Sequence, residues 1–463
     1  MFDLVIRNVE IDGRASLNVA VQAGQIVEIA PERLRGREEI DGNGGALIPG
    51  LADQHLHLLS LAAQAHSLNI DDARTSEGLA QYMKGAVSRL EPGAWLRVTG
   101  YHESTNGSLD RATLDRLAPH HPIRVQHQSG AFWLLNSAAL DQVLDGTDWP
   151  ECVERNENEA ATGRIWRGDA WLNTRLKRTP PSLRQIGRKM AALGVTSITD
   201  ASVTNDAASA AHIAQEIRAG ALPQRVMLMS GGELSAAAEY VIGPVKILLD
   251  DTSLPTIECM TRQIEVARRC KRAVAVHCVT AVELAFTLAA FATAGSGDGD
   301  RIEHGGVISR EAIEQVASLG LTVVTQPAFV FERGDRYLRD VEEEDIGSLY
   351  RAASLIEFGI GLAGSSDAPY STVDPWAAMR SAVQRVTRDG IPIGKDERLS
   401  SQQALNLYLK DPHKPGAAPR RVCIGVAADL CLLSDPLRGI FADFQAEAVA
   451  VTIIDGRIVY RRN

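Results

Sequence analysis

The chain has 463 residues, 45% apolar and 23% charged, so it can bury a large core, and its length fits one large barrel with additions or two to three domains. Its 48 Lys and Arg against 58 Asp and Glu leave a formal net charge of −10, and no basic run is long enough to follow a phosphate backbone, so nucleic acid is not expected as a partner. The longest apolar stretch of note, Ala281 to Gly295, is broken by Glu283 and falls short of the roughly 20 residues of a membrane span, so a soluble chain is expected.

Residues Met1 to Asn8 place an acid at Asp3 and show no basic segment ahead of an apolar one, so no secretory signal is expected. Leu4-Val5-Ile6 and Gln25 to Ala30 read as strands, with Asp12-Gly13 and Ala23-Gly24 as turns. From about Arg421 that style returns in Val422-Cys423-Ile424, in Ala428 to Leu433, and in Val449 to Tyr460 around an Asp455-Gly456 turn. Both ends are β-rich.

Between them, short β-branched runs alternate with amphipathic stretches of helical spacing. Eight strands are predicted: Ala46 to His55, Val195 to Thr199, Arg225 to Met229, Val245 to Leu249, Ala273 to His277, Arg301 to His304, Leu321 to Thr325 and Ile360 to Ser365. Eight such alternations predict an α/β fold, a closed (β/α)8 barrel, with its active site at the C-terminal ends of the strands. The first two strands lie about 140 residues apart, which marks an insertion. The insert, residues 60–181, carries strands at Trp95 to Thr99 and Ile123 to His127 and helices after Ser108 and Asn136, and leaves through Thr179-Pro180-Pro181. Five of six tryptophans fall there (Trp95, Trp133, Trp149, Trp166 and Trp171), either as a small core of large rings or as the aromatic walls of a substrate cap. Residues 47–59 and 182–411 are then the barrel, leaving 1–46 and 412–463 as the β-rich ends.

The six cysteines are scattered, none in a Cys-x-x-Cys pair, and read as reduced thiols of a cytoplasmic protein. Cys278, beside His277, reads as a small buried hydrophobe.

His55-Leu56-His57 closes the first strand. Residues two apart share a face of a strand and can reach one metal, although roughly one chain in four of this histidine content carries such a pair by chance. The other metal-capable residues are spaced to match. A βα step of a barrel takes roughly 31 residues. Lys246 to His277 is 31, His277 to His304 is 27, and His304 to Asp367 is 63, which is two steps. These four residues fall on the ends of strands four, five, six and eight. Singly, each histidine reads as a hydrogen-bonded core residue and Asp367 as a turn or cap. Lys246 is different, because an ammonium inside Val245-Ile247-Leu248-Leu249 must be paired, reach outward or lose its charge. One shared metal site explains all of them together.

The ordered set Ile48 to His57, Val245-Lys246-Ile247, Val276-His277, Arg301-Ile302-Glu303-His304, Gln326-Pro327, Gly364 to Pro369 and Gly425 to Leu430 resembles the amidohydrolase superfamily nearly end to end. It is closest to the amidohydrolase-3 branch, which includes N-substituted formamide deformylase-like enzymes. The resemblance implies a metal-bearing (β/α)8 TIM barrel beside a β-sandwich that both termini build. It implies that His55 and His57 hold one divalent ion, with Asp367 as a further ligand and proton carrier. His277 and His304 serve a second ion or complete the first, and Lys246, if carboxylated, bridges two. Two departures stand out: Gly130-Ala131 replaces a usual Gly-His ahead of Asn136-Ser137, and Asp250-Asp251-Thr252 replaces a usual Asp-Gly in a shortened stretch before His277.

The expected activity is hydrolysis of a carbon–nitrogen bond (amide, N-formyl or carbamate) of a small molecule, with one or two divalent ions, zinc foremost. Asp367 is the general acid/base and His304 assists. Two alternatives stand beside it. A heterocycle deaminase on this fold carries a glutamate just after the strand-five histidine, and the nearest acid here is Glu283. The other is a non-catalytic scaffold that has lost its metal. A homodimer is a candidate assembly.

Overall fold

The computed structural model describes residues 1–65, 67–70, 73, 75–146, 149–176 and 180–462. The chain divides into two units, Met1–Leu58 with Ser182–Asn463, and Leu59–Pro181. Among the described residues, no helix is long and apolar enough to cross a membrane.

In the first unit, Phe2–Ile11, Arg14–Gln22, Gln25–Ala30 and Gly36–Asp41 form one sheet, with Phe2–Ile11 between Arg14–Gln22 and Gly36–Asp41. Leu47–Pro49, Leu430–Leu433, Val449–Ile454 and Arg457–Arg461 form a second, in that spatial order. Leu4, Ile6, Val19 and Ile26 from the first join Leu47, Leu430, Leu432 and Val451 from the second in one buried cluster. The two ends of the chain thus build a sandwich jointly, each such side chain contributing roughly 1.5–3 kcal/mol. Val422 joins that core from a loop rather than from the expected strand.

The barrel strands are β1 (Leu51–Leu56), β2 (Val195–Asp200), β3 (Arg225–Ser230), β4 (Tyr240–Ile247), β5 (Val274–Cys278), β6 (Arg301–His304), β7 (Thr322–Thr325) and β8 (Leu362–Gly364). Each pairs in parallel with the next. β1 and β2 are buried at every residue, as strands covered on both faces are, and they bury polar side chains such as Asp53, Gln54, Thr199 and Asp200 along with their apolar ones. The cylinder is closed just beyond β8, where Asp367 N donates to His55 O at 2.7 Å and His57 N donates to Ala368 O at 2.8 Å. Ser366 N also donates to Asp53 Oδ1, at 3.0 Å.

Three strands differ from expectation. The run from Ala46 breaks at Gly50 into the sandwich strand Leu47–Pro49 and β1, because Gly50 N turns to donate to Asp429 O at 2.8 Å. β4 begins at Tyr240 and ends before Leu248, and β8 keeps only Leu362–Gly364 of the expected Ile360 to Ser365.

The second unit has its own sheet. Leu68–Asn69, Leu96–Tyr101 and Ile123–His127 run parallel, and the sheet continues antiparallel through Phe132–Leu135, Ala161–Trp166 and Val153–Arg155. Asn136 caps the helix Ser137–Val143, as expected, but the preceding helix starts at Arg111 and is capped by Asp110 rather than Ser108, because the Asp110 carboxylate accepts from Thr113 N at 2.7 Å. Trp133 is buried with Trp95, Trp149 and Trp171 packed around its cluster, whereas Trp166 is 42% exposed. Trp133 is therefore core, and three further tryptophans, partly buried, pack at its margin. Thr179 of the exit segment lies outside the described residues.

Candidate metal centre

His55, which is buried, is the last residue but one of β1, and His57 follows directly after the strand. Their shared face meets Asp367 from beyond β8: Asp367 Oδ1 stands 3.4 Å from His55 Nε2 and 3.2 Å from His57 Nε2. Two ligands held by zinc at about 2.0–2.2 Å and the tetrahedral angle stand roughly 3.3–3.5 Å apart. Asp367 Oδ1 already stands at about that spacing from each imidazole nitrogen, and one ligand atom from each of the three residues lies within 4.8 Å of the others.

The far nitrogen of each ring is held. His55 Nδ1 pairs with Glu303 Oε2, His57 Nδ1 with Ser202 Oγ at 3.0 Å, and His304 Nδ1 with Gln326 Oε1 at 2.9 Å. The carboxylate on Nδ1 of His55 and the amide oxygen on that of His304 put the ring proton there and leave Nε2 with a lone pair, the form a metal needs, and the Ser202 hydroxyl can do the same for His57 by accepting. Two lone pairs then face a carboxylate oxygen, and Asp367 Oδ1 is buried without a hydrogen bond among the described residues. A cation is the partner that resolves such a meeting.

β6 brings two further residues to the same place. The Glu303 carboxylate binds His55, while the His304 ring lies 4.8 Å from the His55 ring and 4.4 Å from that of His277 on β5. Neighbours in a strand ordinarily point to opposite faces. The left-handed backbone of His304, φ 69°, breaks that alternation, and Asp367 has φ 54°. A non-glycine residue held there costs on the order of 1–3 kcal/mol, a strain that gathers at functional sites.

Lys246 on β4 is 3% exposed, and its Nζ has no hydrogen-bond partner among the described residues. Burial pushes its pKa down against the pull of Glu303 and Asp367. Burial, with Lys246 close by, also lowers His55 to about 4, and burial with the neighbouring imidazoles and Lys246 lowers His277 to about 2 and His304 to about 3. All three rings are neutral at pH 7. For Asp367 burial acts upward, but contact with His57 and the charges of His304 and His55 outweigh it and hold the carboxyl below its usual range. The donor set is thus neutral imidazoles, one carboxylate and one orphaned lysine amine, which fits a divalent ion of the zinc type.

All six residues singled out from spacing converge on this end of the barrel: His55, His57 and Asp367 in direct approach, His304 and His277 by ring contact, and Lys246 by burial against the same carboxylates. Sequence reasoning passed over Glu303. Arg301 Nε donates to Glu303 Oε1 at 2.5 Å and Arg301 Nη2 to Gln54 O at 3.0 Å, so a wholly buried Arg-x-Glu pair anchors the ring of His55. Two opposite charges two apart in a fully buried strand are the signal that could have found it. Ser202 and Gln326 carried no such signal.

Cys278 faces away, with Sγ 3.2 Å from Thr287 Oγ1, and burial pushes its thiol up to about 12. Glu283 is also occupied. Its carboxylate closes a capping box on helix Ala281–Ala294, accepting from Val279 N at 2.7 Å and Thr280 N at 3.1 Å. It is therefore not the ring-protonating acid a deaminase needs.

Residues 38–460 match the Amidohydrolase family. The chain is 25% identical to the N-substituted formamide deformylase of Arthrobacter pascens, over 99% of this chain and 97% of that one. Among solved structures, it resembles an uncharacterized metal-dependent hydrolase from Pyrococcus horikoshii OT3, with a TM-score of 0.74 at 19% identity over 99% of each chain. It also resembles N-isopropylammelide isopropylaminohydrolase from Burkholderia multivorans ATCC 17616, with a TM-score of 0.55 at 15% identity, covering 100% of this chain and 99% of that one. At those identities the two structures bear on the fold.

Proposed function

The chain belongs to the amidohydrolase family, and on that premise we propose that it hydrolyses a non-peptide carbon–nitrogen bond (amide, N-formyl or carbamate) in a small molecule. The observation that carries this reading is the pair of Nε2 atoms turned on one carboxylate oxygen, 3.4 and 3.2 Å away, with both Nδ1 atoms tied to other side chains, Glu303 and Ser202. His55, His57 and Asp367 would hold one ion. His277 and His304 complete that site or serve a second ion, which a carboxylated Lys246 would bridge; zinc is the ion that suits these donors. When bound, such an ion makes water more acidic and polarises a carbonyl oxygen.

The residues supply the rest. Asp367, ionised at neutral pH, takes the proton from water as the carbon–oxygen bond forms. It then hands that proton to the nitrogen as the carbon–nitrogen bond breaks, so the amine leaves neutral. His304, its Nδ1 held by Gln326 Oε1 and its ring 4.8 Å from that of His55, presents an unprotonated Nε2 and would assist as a ligand of the ion. The six unpaired cysteines support a reducing compartment, the cytoplasm.

The test is elemental analysis of the purified protein combined with a screen of N-formyl, N-acyl and carbamate compounds for amine release. One or two zinc equivalents that a His55→Ala/His57→Ala variant loses, together with a released amine, support the proposal. Ammonia released from heterocycles, or a protein that binds no divalent metal, overturns it.

A further inference from the structure

A second cluster of metal-binding side chains lies in the inserted unit. We propose that His102, Glu103 and His127 form a metal site of their own, which takes a zinc-type divalent ion through two imidazole nitrogens and one carboxylate oxygen and leaves a fourth position to water or a ligand atom.

The donor chemistry is the first support. Two histidines and a glutamate are a zinc ligand set, and an open fourth position is what distinguishes reactive sites from purely structural ones. The ligand atoms of the three residues lie within 4.8 Å of one another. His127 Nε2 and Glu103 Oε2 are 3.1 Å apart, already near the roughly 3.3–3.5 Å edge of a zinc tetrahedron, and the His102 and His127 rings stand 5.0 Å apart. The Glu103 side chain is 43% exposed and has room to turn the remaining distance.

The site is also built. His127 ends the strand Ile123–His127 and His102 follows the strand Leu96–Tyr101; the two strands run parallel, with Tyr101 opposite His127. The carboxyl ends of adjacent parallel strands are where open α/β sheets bind ligands. The ring of His127, 9% exposed, stacks on Phe132 at 4.7 Å; its Nδ1 accepts from Ser129 N at 3.1 Å and meets Ser129 Oγ at 2.6 Å, so Nε2, which must give up its proton to an ion, is the nitrogen turned on Glu103. Asn106, almost fully buried, clamps the other ligand loop. Its Oδ1 accepts from His102 N at 2.9 Å, and its Nδ2 donates to Ile70 O and Ala73 O, both at 2.9 Å. The backbone that carries the ligands is therefore fixed before any ion arrives, as a metal site requires.

The test strips the full-length protein with a chelator, reloads it with Zn²⁺ alone, and measures zinc per chain and its dissociation constants. Wild type is compared with His102→Ala, with Glu103→Gln, and with a His55→Ala/His57→Ala barrel variant. Wild type should hold one equivalent more than either insert variant, that equivalent weakening by more than about 100-fold, beyond the cost of losing an outer partner. The barrel variant should keep it, and cobalt in its place should give a tetrahedral absorption band that His102→Ala abolishes. If His102→Ala does not fold by circular dichroism, Glu103→Gln, which alters an exposed side chain, decides alone. Equal zinc content and affinity in wild type and the folded insert variants would overturn the proposal.

Discussion

At the scale of single residues, the centre depends on groups that fix its imidazoles as much as on the imidazoles. Glu303→Gln keeps the shape but removes the charge that holds the Nδ1 proton of His55. Affinity for zinc should fall roughly 10–100-fold, read by competition with a chromophoric chelator, and an unchanged dissociation constant would remove Glu303 from the design. Asp367→Asn should lower kcat by roughly 10²–10⁴-fold while zinc is retained; near-normal turnover would exclude Asp367 as the proton carrier. The six metal-capable residues were legible in the sequence because a barrel spaces its strand ends regularly, so Lys246, His277, His304 and Asp367 fell into step. Their supporting partners were not legible. Ser202 and Gln326 act through contacts with His57 and His304, residues distant in the chain or on another strand, and nothing local marks them.

At the scale of elements, Gly50 is the joint between two architectures, ending the sandwich strand Leu47–Pro49 and admitting β1. A Cβ there would meet Thr196 Cγ2 at 2.1 Å. Gly50→Ala should destabilise the fold by about 1–3 kcal/mol, the cost of overpacking, read as a lower urea midpoint, and a stability equal to wild type would show that the joint can yield. The eight barrel strands were readable as short runs, rich in β-branched or apolar residues, that alternate with helical spacing. Their ends were less so. The break at Gly50 and the early start of β4 at Tyr240 depend on which neighbour each backbone group finds, and composition does not record that. Capping chemistry was read correctly at Asn136, where the side chain accepts from Ala139 N at 3.0 Å, and wrongly at Ser108, where a stronger carboxylate cap stood two residues on.

At the scale of the molecule, the proposed ligands come from β1, β4, β5 and β6 and from just beyond β8, so an ion held there ties strands drawn from most of the circumference. Chelation should lower the melting temperature and zinc should restore it. Free zinc at 100 times its dissociation constant adds about 2.7 kcal/mol, and a melting temperature indifferent to zinc would contradict a site shared by so many strands. The seam where Asp367 N meets His55 O has a consequence for how the protein is made. The first imidazoles leave the ribosome roughly 310 residues ahead of the aspartate that completes their site, an interval of roughly 15–60 s at about 5–20 residues per second. Throughout that interval the nascent chain carries an unfinished site, and a translation product arrested before Gly364 should not capture zinc at the barrel with the affinity of the finished enzyme.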